Sequence, residues 1–158
     1  MMRSAASGRR DRILAAIEVP ALGVWLGALV GFAFISAPLA FRIVGPLDLS
    51  RFAALTAATI GQLTIWGYVL GGIAILAALA RAVDAGDRTW DAVRIVLIAA
   101  ALGLAAYEQQ AIVPHMQAIT DLRSDDYRAL HGRSTAVYGA VALLVLMSLL
   151  LATTRREE

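Results

Sequence analysis

The chain of 158 residues has no cysteine, no lysine and only two histidines. The absence of cysteine excludes disulfides, cysteine-ligated zinc, iron–sulfur clusters and thiol catalysis. Charged residues make up 16% of the chain, whereas an ordinary soluble domain has about 25%. All 14 basic residues are arginines, and they lie between apolar stretches rather than in one cluster. This spacing argues against nucleic acid as a partner.

Apolar residues are correspondingly abundant, at 59% of the chain with a mean hydropathy of +0.71. A chain this short cannot bury so much apolar surface in water, so we expect the lipid bilayer to be its solvent. Four stretches reach the roughly 20 apolar residues that a membrane-spanning helix needs, at about 19–41, 56–80, 92–113 and 134–152. None alternates as a barrel strand would. The sequence predicts a single all-α domain over 1–158, an integral membrane four-helix bundle.

The arginines predict the orientation of this bundle. Nine lie in the N-terminal flank (1–12), the second connection and the C-terminal tail (153–158), and five lie in the other two connections. Because positive charge is retained in the cytoplasm, we expect both termini to be cytoplasmic, in a bacterial inner membrane. The alternative for the first stretch is a signal peptide cleaved near Ala40, but its apolar run is too long for one.

Local signals predict where the helices begin and end. Asp48 or Ser50 can cap the second helix, and Ser124 can cap the fourth. Pro114 has no amide hydrogen, so we expect a kink there in a third helix that continues to about Leu122. Helices three and four then form a tight antiparallel hairpin.

Glycines at four-residue spacing predict close helix packing, since small residues let membrane helices approach one another. They form a glycine zipper in the first helix and recur in the second: Gly23, Gly27, Gly31, Gly67 and Gly71. The sequence favours packing within the bundle. The alternative is a surface for a second copy or for a partner membrane helix.

Polar residues inside the membrane are costly, so their positions point to function. With the orientation above, they collect in the outer half of the bundle, and Glu108 is expected to be the single interior acid. Hairpin geometry predicts two layers that line one outward-facing cavity, His115 with His131 and Glu108 with Tyr138. We expect this cavity to bind a small ligand, a lipid group or a partner helix through Glu108, His131, Ser134, Tyr138, Gln62 and Gln110.

Each candidate has an alternative interpretation. Glu108 can simply pair with Arg42 at the outer end of the first helix. His131 and His115 can ligate a haem iron or copper, with Met116 as a soft third ligand, in a metal-handling protein or oxidoreductase. No complete catalytic constellation is visible, so a non-enzymatic role is favoured.

Several of these residues also carry a family resemblance. The chain resembles the transmembrane-protein-205-like family, of unknown function, in a glycine-rich first helix that ends at Pro38–Phe41, in a Pro114 helix and in a Leu130-His131-x-x-Ser134 motif. That family commonly has a basic residue after its third-helix proline, where this chain has His115. The resemblance implies a four-helix integral membrane protein and names no reaction. The bundle is similar, more loosely, to copper-resistance membrane proteins.

Overall fold

A computed structural model describes residues 5–83 and 89–154, which are almost entirely helical. The elements are α1 (Ala5–Gly31), a first π-helical segment (Phe32–Ser36), α2 (Ala37–Val44), α3 (Leu49–Ala82), α4 (Thr89–Tyr107), a second π-helical segment (Glu108–Ile112), α5 (Val113–Ala118) and α6 (Asp125–Thr154). They give four helices long and apolar enough to cross a membrane: Gly8–Val44, Leu49–Ala82, Thr89–Ala118 and Asp125–Thr154. The prediction of an all-α chain with four such helices is confirmed. The outermost residues of the predicted basic flank and tail, 1–4 and 155–158, lie outside the described residues.

The start of α3 is fixed by Asp48, which is the cap of this helix. Its carboxylate accepts the backbone amide of Arg51 at 2.9 Å, which satisfies one of the donors left free at a helix start. Ser50 supports the cap, because its hydroxyl donates to the same carboxylate oxygen at 2.6 Å. Of the two candidate caps, Asp48 is therefore the one in use.

The predicted hairpin of the third and fourth helices has a tight turn. Ser124 caps α6 as expected, since its Oγ accepts the amide of Tyr127 at 3.2 Å. The preceding helix ends at Ala118, earlier than the predicted Leu122, because the backbone of Ile119 is extended (φ −85°, ψ 119°). The turn is therefore longer than the sequence predicted.

Both π-helical segments precede a proline. In each, the residue before the proline donates its amide to the carbonyl five positions earlier: Ala37 to Phe32 before Pro38, and Val113 to Glu108 before Pro114. A proline ring clashes with the carbonyl four residues earlier, and the wider π turn relieves that crowding. The disturbance expected at Pro114 thus takes the form of a π turn that begins at Glu108.

The four long helices form an antiparallel bundle. α1 packs against α3 and α6, and α4 packs against the same two helices. Short connections between consecutive helices give this arrangement directly. α1 and α4 therefore lie on opposite corners of the bundle.

Trp25 is the centre of the buried core. Its ring lies over two glycines of α3: a Cβ at Gly67 would come within 2.8 Å of Trp25 Nε1, and one at Gly71 within 3.0 Å of the ring and 2.8 Å of Leu102. A larger residue at either glycine would displace the ring of Trp25 or the side chain of Leu102. The rest of the core is aliphatic: Leu22, Leu29, Ala74, Ile98, Ala101, Val141, Val145 and Ala152.

The glycines of α1 behave differently from those of α3. A Cβ added at Gly23, Gly27 or Gly31 would meet no heavy atom of a neighbouring side chain or helix within 4 Å. Close intramolecular approach therefore occurs at Gly67 and Gly71. The glycine stripe of α1 faces open space.

An ionic cluster joins three helices at the end of the bundle that holds the start of α1. Glu18 of α1 pairs through Oε2 with Arg81 of α3, and its Oε1 lies 3.4 Å from Arg94 Nε of α4. Arg94 Nη2 also binds Asp91 Oδ1 at 2.7 Å. Glu18, Asp91 and Arg94 are 0% exposed. The expectation that Glu108 is the single interior acid is therefore wrong, because α1 extends well beyond the predicted span and buries Glu18 against two guanidinium groups.

The buried core does not run the full length of the bundle. Buried residues of α3 begin at Thr64 and those of α6 at Ser134, and the first π-helical segment, α2 and α5 contain none. The core thus extends from the ionic cluster to the second π-helical segment, whose buried residues are Glu108 and Ile112. Polar groups at that level lie at the edge of the core.

Candidate functional site

Glu108 is buried at the edge of the core, in the first residue of the second π-helical segment. It is 1% exposed, and its Oε1 accepts a hydrogen bond of 2.5 Å from the hydroxyl of Ser134, itself 8% exposed. The other carboxyl oxygen, Oε2, is buried and has no hydrogen-bond partner among the described residues. A buried acceptor without a donor costs about 1–3 kcal/mol, so this oxygen calls for an explanation.

A second polar contact links this region to α3. Thr64 donates its hydroxyl to the carbonyl of Ile60 at 3.0 Å and accepts the amide of Gln109 at 3.3 Å. Tyr138 of α6 lines the same cavity as Thr64 and Glu108. Side chains from α3, α6 and the π-helical segment therefore converge on one place, which we call the Glu108 site: Thr64, Glu108, Gln109, Ser134 and Tyr138.

A small cavity lies at this site. Its lining combines three polar side chains with apolar and aromatic ones: Trp25, Leu29, Leu63, Thr64, Gly67, Ala105, Glu108, Val137, Tyr138 and Val141. The volume open to the centre of a water molecule is about 10 Å³, close to what one water-sized group requires. The cavity therefore suits one small polar group and is too small for a whole lipid or cofactor.

Local sequence explains why these side chains meet. In α6, Ser134, Tyr138 and Val141 are spaced four and three residues apart, which places them on one helical face toward the core. In α3, Thr64 and Gly67 share a face for the same reason, and Gly67 leaves room for the ring of Trp25. Glu108 lies seven residues after the buried Ala101 and so shares its inward face, whereas Gln110, two residues further along, is exposed.

Three of the predicted ligand-binding residues come together in the structure. Glu108 and Ser134 share a hydrogen bond, and Glu108 and Tyr138 line the same cavity. Gln62 and Gln110 are exposed and do not line it. Gln109 makes the contact with α3 instead.

The two histidines lie away from this cavity. His131 is exposed, and its ring stacks on Tyr127 with centroids 6.2 Å apart and planes 6° apart. His115 is exposed, with Nδ1 2.6 Å from the carbonyl oxygen of Ala111 in the preceding turn. Neither lines the cavity, so the structure does not extend the Glu108 site by a histidine layer.

The alternative pairing of Glu108 with Arg42 is not formed. Arg42 is exposed near the end of α2, and the ion pairs of the described residues do not include Glu108. The carboxyl group is held by Ser134, not by a cation. This distinguishes it from Glu18, which contacts two guanidinium groups.

Two contributors to the site were missed by sequence reasoning, Trp25 and Thr64. Trp25 lies between Gly23 and Gly27 in an apolar run, where a large aromatic residue is ordinarily part of the core. Thr64 lies two residues after Gln62. Which of these two side chains faces inward depends on how α3 is rotated about its axis. Gly67, three residues after Thr64, was the sequence signal for the inward face of α3, because a glycine there marks the face that packs tightly against a neighbouring helix.

The arrangement can accept hydrogen bonds from a bound group. It offers a carboxyl oxygen to which no described residue donates and the hydroxyls of Thr64 and Tyr138, in apolar surroundings that strengthen electrostatic contacts. A group that donates hydrogen bonds and is about the size of a water molecule fits this chemistry.

Comparison with known proteins identifies a family. A family described as a domain of unknown function, DUF4149, matches residues 21–125, which is more than half of the chain. The match includes Trp25, Thr64 and Glu108 and ends before Ser134. No curated protein and no solved structure matches the chain. The chain belongs to the DUF4149 family.

Proposed function

We propose that the chain is a non-enzymatic multi-pass membrane protein that binds a polar group of a small molecule, a lipid or a partner helix at the Glu108 site. One observation carries this proposal. Glu108 Oε2 is buried and has no hydrogen-bond partner in the described part of the chain, and the Glu108 side chain lines a cavity. An ionisable side chain inside a membrane is a candidate functional residue, because burying it in lipid costs free energy and such residues are rare where they serve no function.

The contacts of Ser134 favour binding over covalent catalysis. Its hydroxyl donates to the carboxyl group of Glu108, and the exposed ring of His131 stacks on Tyr127 instead. A catalytic serine needs a base that removes its proton and a donor pair for the resulting oxyanion. The described geometry supports a carboxyl group held in place by a serine.

The haem or copper alternative lacks a comparable observation. The described part of the chain contains no group of three or more side chains of the metal-ligating types His, Cys, Asp and Glu. His115 and His131 are both exposed and make separate local contacts. These separate contacts support the binding proposal over a haem or copper centre.

For location, we propose the bacterial cytoplasmic membrane, with both termini in the cytoplasm. The arginine distribution supports it, although Arg81 and Arg94 belong to the buried ionic cluster and do not count as loop charges. Seven arginines remain on the predicted inner side, against five on the other. Because the chain has no cysteine, single cysteines can report on its topology.

Labelling of intact cells with an impermeant maleimide tests this orientation. Asp126→Cys, at an exposed position at the start of α6, should be labelled from outside. Arg9→Cys, exposed near the start of α1, should be labelled only after the cells are opened. Labelling of Arg9→Cys in intact cells would reverse the topology.

A second copy of the chain or a partner helix is proposed to pack on the open glycine stripe of α1. Support comes from the free space at Gly23, Gly27 and Gly31, which lets another helix approach closely. Gly27→Leu should reduce self-association in detergent, measured by sedimentation, without loss of the folded monomer. If Gly27→Leu associates as the wild-type chain does, or if the wild-type chain is itself a monomer at all concentrations, a second copy is excluded as the partner on this stripe. The remaining candidate would be a helix of a different protein.

Within DUF4149, we propose a relationship to the transmembrane-protein-205-like family. The order of the Pro38–Phe41, Pro114 and Leu130–Ser134 motifs along four helices supports it. This relationship adds no reaction to the proposal.

Native mass spectrometry of the protein released from membranes tests the binding proposal. The wild-type chain should carry a bound species that Glu108→Gln loses, since the amide replaces one acceptor oxygen by a donor. Asp126→Asn is the matched control, because it makes the same chemical change at an exposed position. A spectrum with the same bound species in wild type and Glu108→Gln would refute the proposal.

A further inference from the structure

We infer that the group recognised at the Glu108 site is a protonated amine of about the size of an ammonium ion. This inference rests on the proposed function and names the chemistry of its ligand. It applies equally to the headgroup amine of a lipid and to a free amine. The experiment below separates those two sources.

Glu108 lacks the cationic partners of the other buried glutamate. Glu18, at the other end of the bundle, contacts two guanidinium groups, which is the usual way in which a buried carboxylate is stabilised. Glu108 has no ion pair within the described residues, and the chain has no lysine. A cation from outside the chain would compensate the carboxylate.

The two carboxyl oxygens of Glu108 differ in their contacts. Ser134 donates to Oε1 and holds the carboxyl group in place, whereas Oε2 is buried and receives no hydrogen bond from residues 5–83 and 89–154. An ammonium group is a donor only, and it has more than one hydrogen to give. It can donate to Oε2 and to a hydroxyl of Thr64 or Tyr138 at the same cavity.

The size and lining of the cavity also favour a small organic cation. About 10 Å³ admits one water-sized group, so a primary ammonium fits and a quaternary ammonium does not. Trp25 and Tyr138 contribute aromatic rings to the lining, and aromatic rings together with a carboxylate suit an organic cation. The remaining lining is apolar, which strengthens the attraction between opposite charges.

Thermal unfolding in detergent with ammonium chloride against tetramethylammonium chloride tests this inference. Equal concentrations of the two salts screen exposed charges equally, so a difference between them isolates the site. At a concentration about five times Kd, ammonium should raise the Tm of the wild-type chain by about 2–4 °C above the tetramethylammonium value. The difference should vanish in Glu108→Gln and persist in Asp126→Asn.

A second variant keeps the inference testable if Glu108→Gln fails to fold. Ala105 lines the cavity, and Ala105→Val fills it while leaving the carboxyl group in place. This variant should also lose the ammonium effect. Equal Tm values in the two salts for the wild-type chain, or an ammonium effect that survives both substitutions, would overturn the inference.

The source of the amine is found by reconstitution into bilayers. If a lipid supplies the amine, vesicles of phosphatidylethanolamine should stabilise the wild-type chain more than vesicles of phosphatidylcholine. If a free amine is the ligand, the two kinds of vesicle should stabilise the chain equally. If only the amine inference is wrong, native mass spectrometry should still show a bound species that depends on Glu108. If the proposed function is wrong as well, no bound species should depend on Glu108.

Discussion

At the scale of single residues, the hydrogen bond between Ser134 and Glu108 is the contact that fixes the site. Ser134→Ala removes the donor and leaves Oε1 buried without one, so we expect a loss of about 1–3 kcal/mol in the free energy of unfolding. Ser148→Ala is the matched control in the same helix, because that buried hydroxyl bonds only the carbonyl of Leu144 within its own helix. Equal losses for the two variants, measured by denaturation in detergent, would contradict this role for Ser134.

Two glycines allow an equally sharp comparison at this scale. Gly67→Ala places a Cβ against the ring of Trp25, and we expect destabilisation of about 1–3 kcal/mol from overpacking. Gly27→Ala meets open space and should be neutral or slightly stabilising, since alanine favours helix over glycine. The thermal midpoints of the two variants give the answer. A Gly67→Ala protein as stable as Gly27→Ala would show that Trp25 does not occupy this position.

At the scale of elements, the start of α3 depends on the charge of Asp48. Hydrogen bonds from Ser50 and from the amide of Arg51 lower the pKa of Asp48 below its usual value. The contribution of the cap is therefore complete above the ordinary pKa of an aspartate and is lost as the pH falls through the lowered pKa. Asp48→Ala should speed hydrogen exchange at the first turn of α3 at neutral pH. Asp48→Asn should retain the cap and lose the acid dependence, and unchanged exchange in Asp48→Ala would contradict the assignment.

Much of the element scale could be predicted from the sequence, and the reasons are local. Continuous apolar runs, the Asp48 and Ser124 caps and the effect of Pro114 are all properties of a few neighbouring residues. The site was predicted less completely. Glu108, Ser134 and Tyr138 were found because intramembrane polar residues are rare. The outward positions of Gln110 and His131 and the inward position of Thr64 depend on how each helix is rotated in the bundle, which composition and spacing do not give.

At the scale of the whole molecule, the bundle has different polar groups at its two ends. The ionic cluster joins α1, α3 and α4, and the Glu108 site joins α3, α6 and the second π-helical segment. Between them lies an aliphatic core with Leu22, Ile98 and Val145. We interpret the first as a structural clamp, because the carboxyl oxygens of Glu18 contact guanidinium groups. We interpret the second as the binding site, because it combines a cavity with a carboxyl oxygen that no described residue satisfies.

The clamp makes its own prediction. Glu18→Gln removes the carboxylate that contacts both Arg81 and Arg94, and we expect a loss of about 3–5 kcal/mol in stability because those charges stay buried. The salt bridge of Arg128 with Asp125 is exposed, so Asp125→Asn is a control with a loss of about 0–1 kcal/mol. Denaturation in detergent measures both. A loss as small as that of the control would show that Glu18 is not part of a buried cluster.

A crystal structure of the chain grown in a lipid phase would show whether the Glu108 site binds a polar group. We expect a bound group about 2.7–3.2 Å from Glu108 Oε2 in the cavity lined by Thr64 and Tyr138. Glu108→Gln crystals should lack it. A wild-type structure in which a side chain of the protein donates to Oε2 and closes the cavity would contradict the claim.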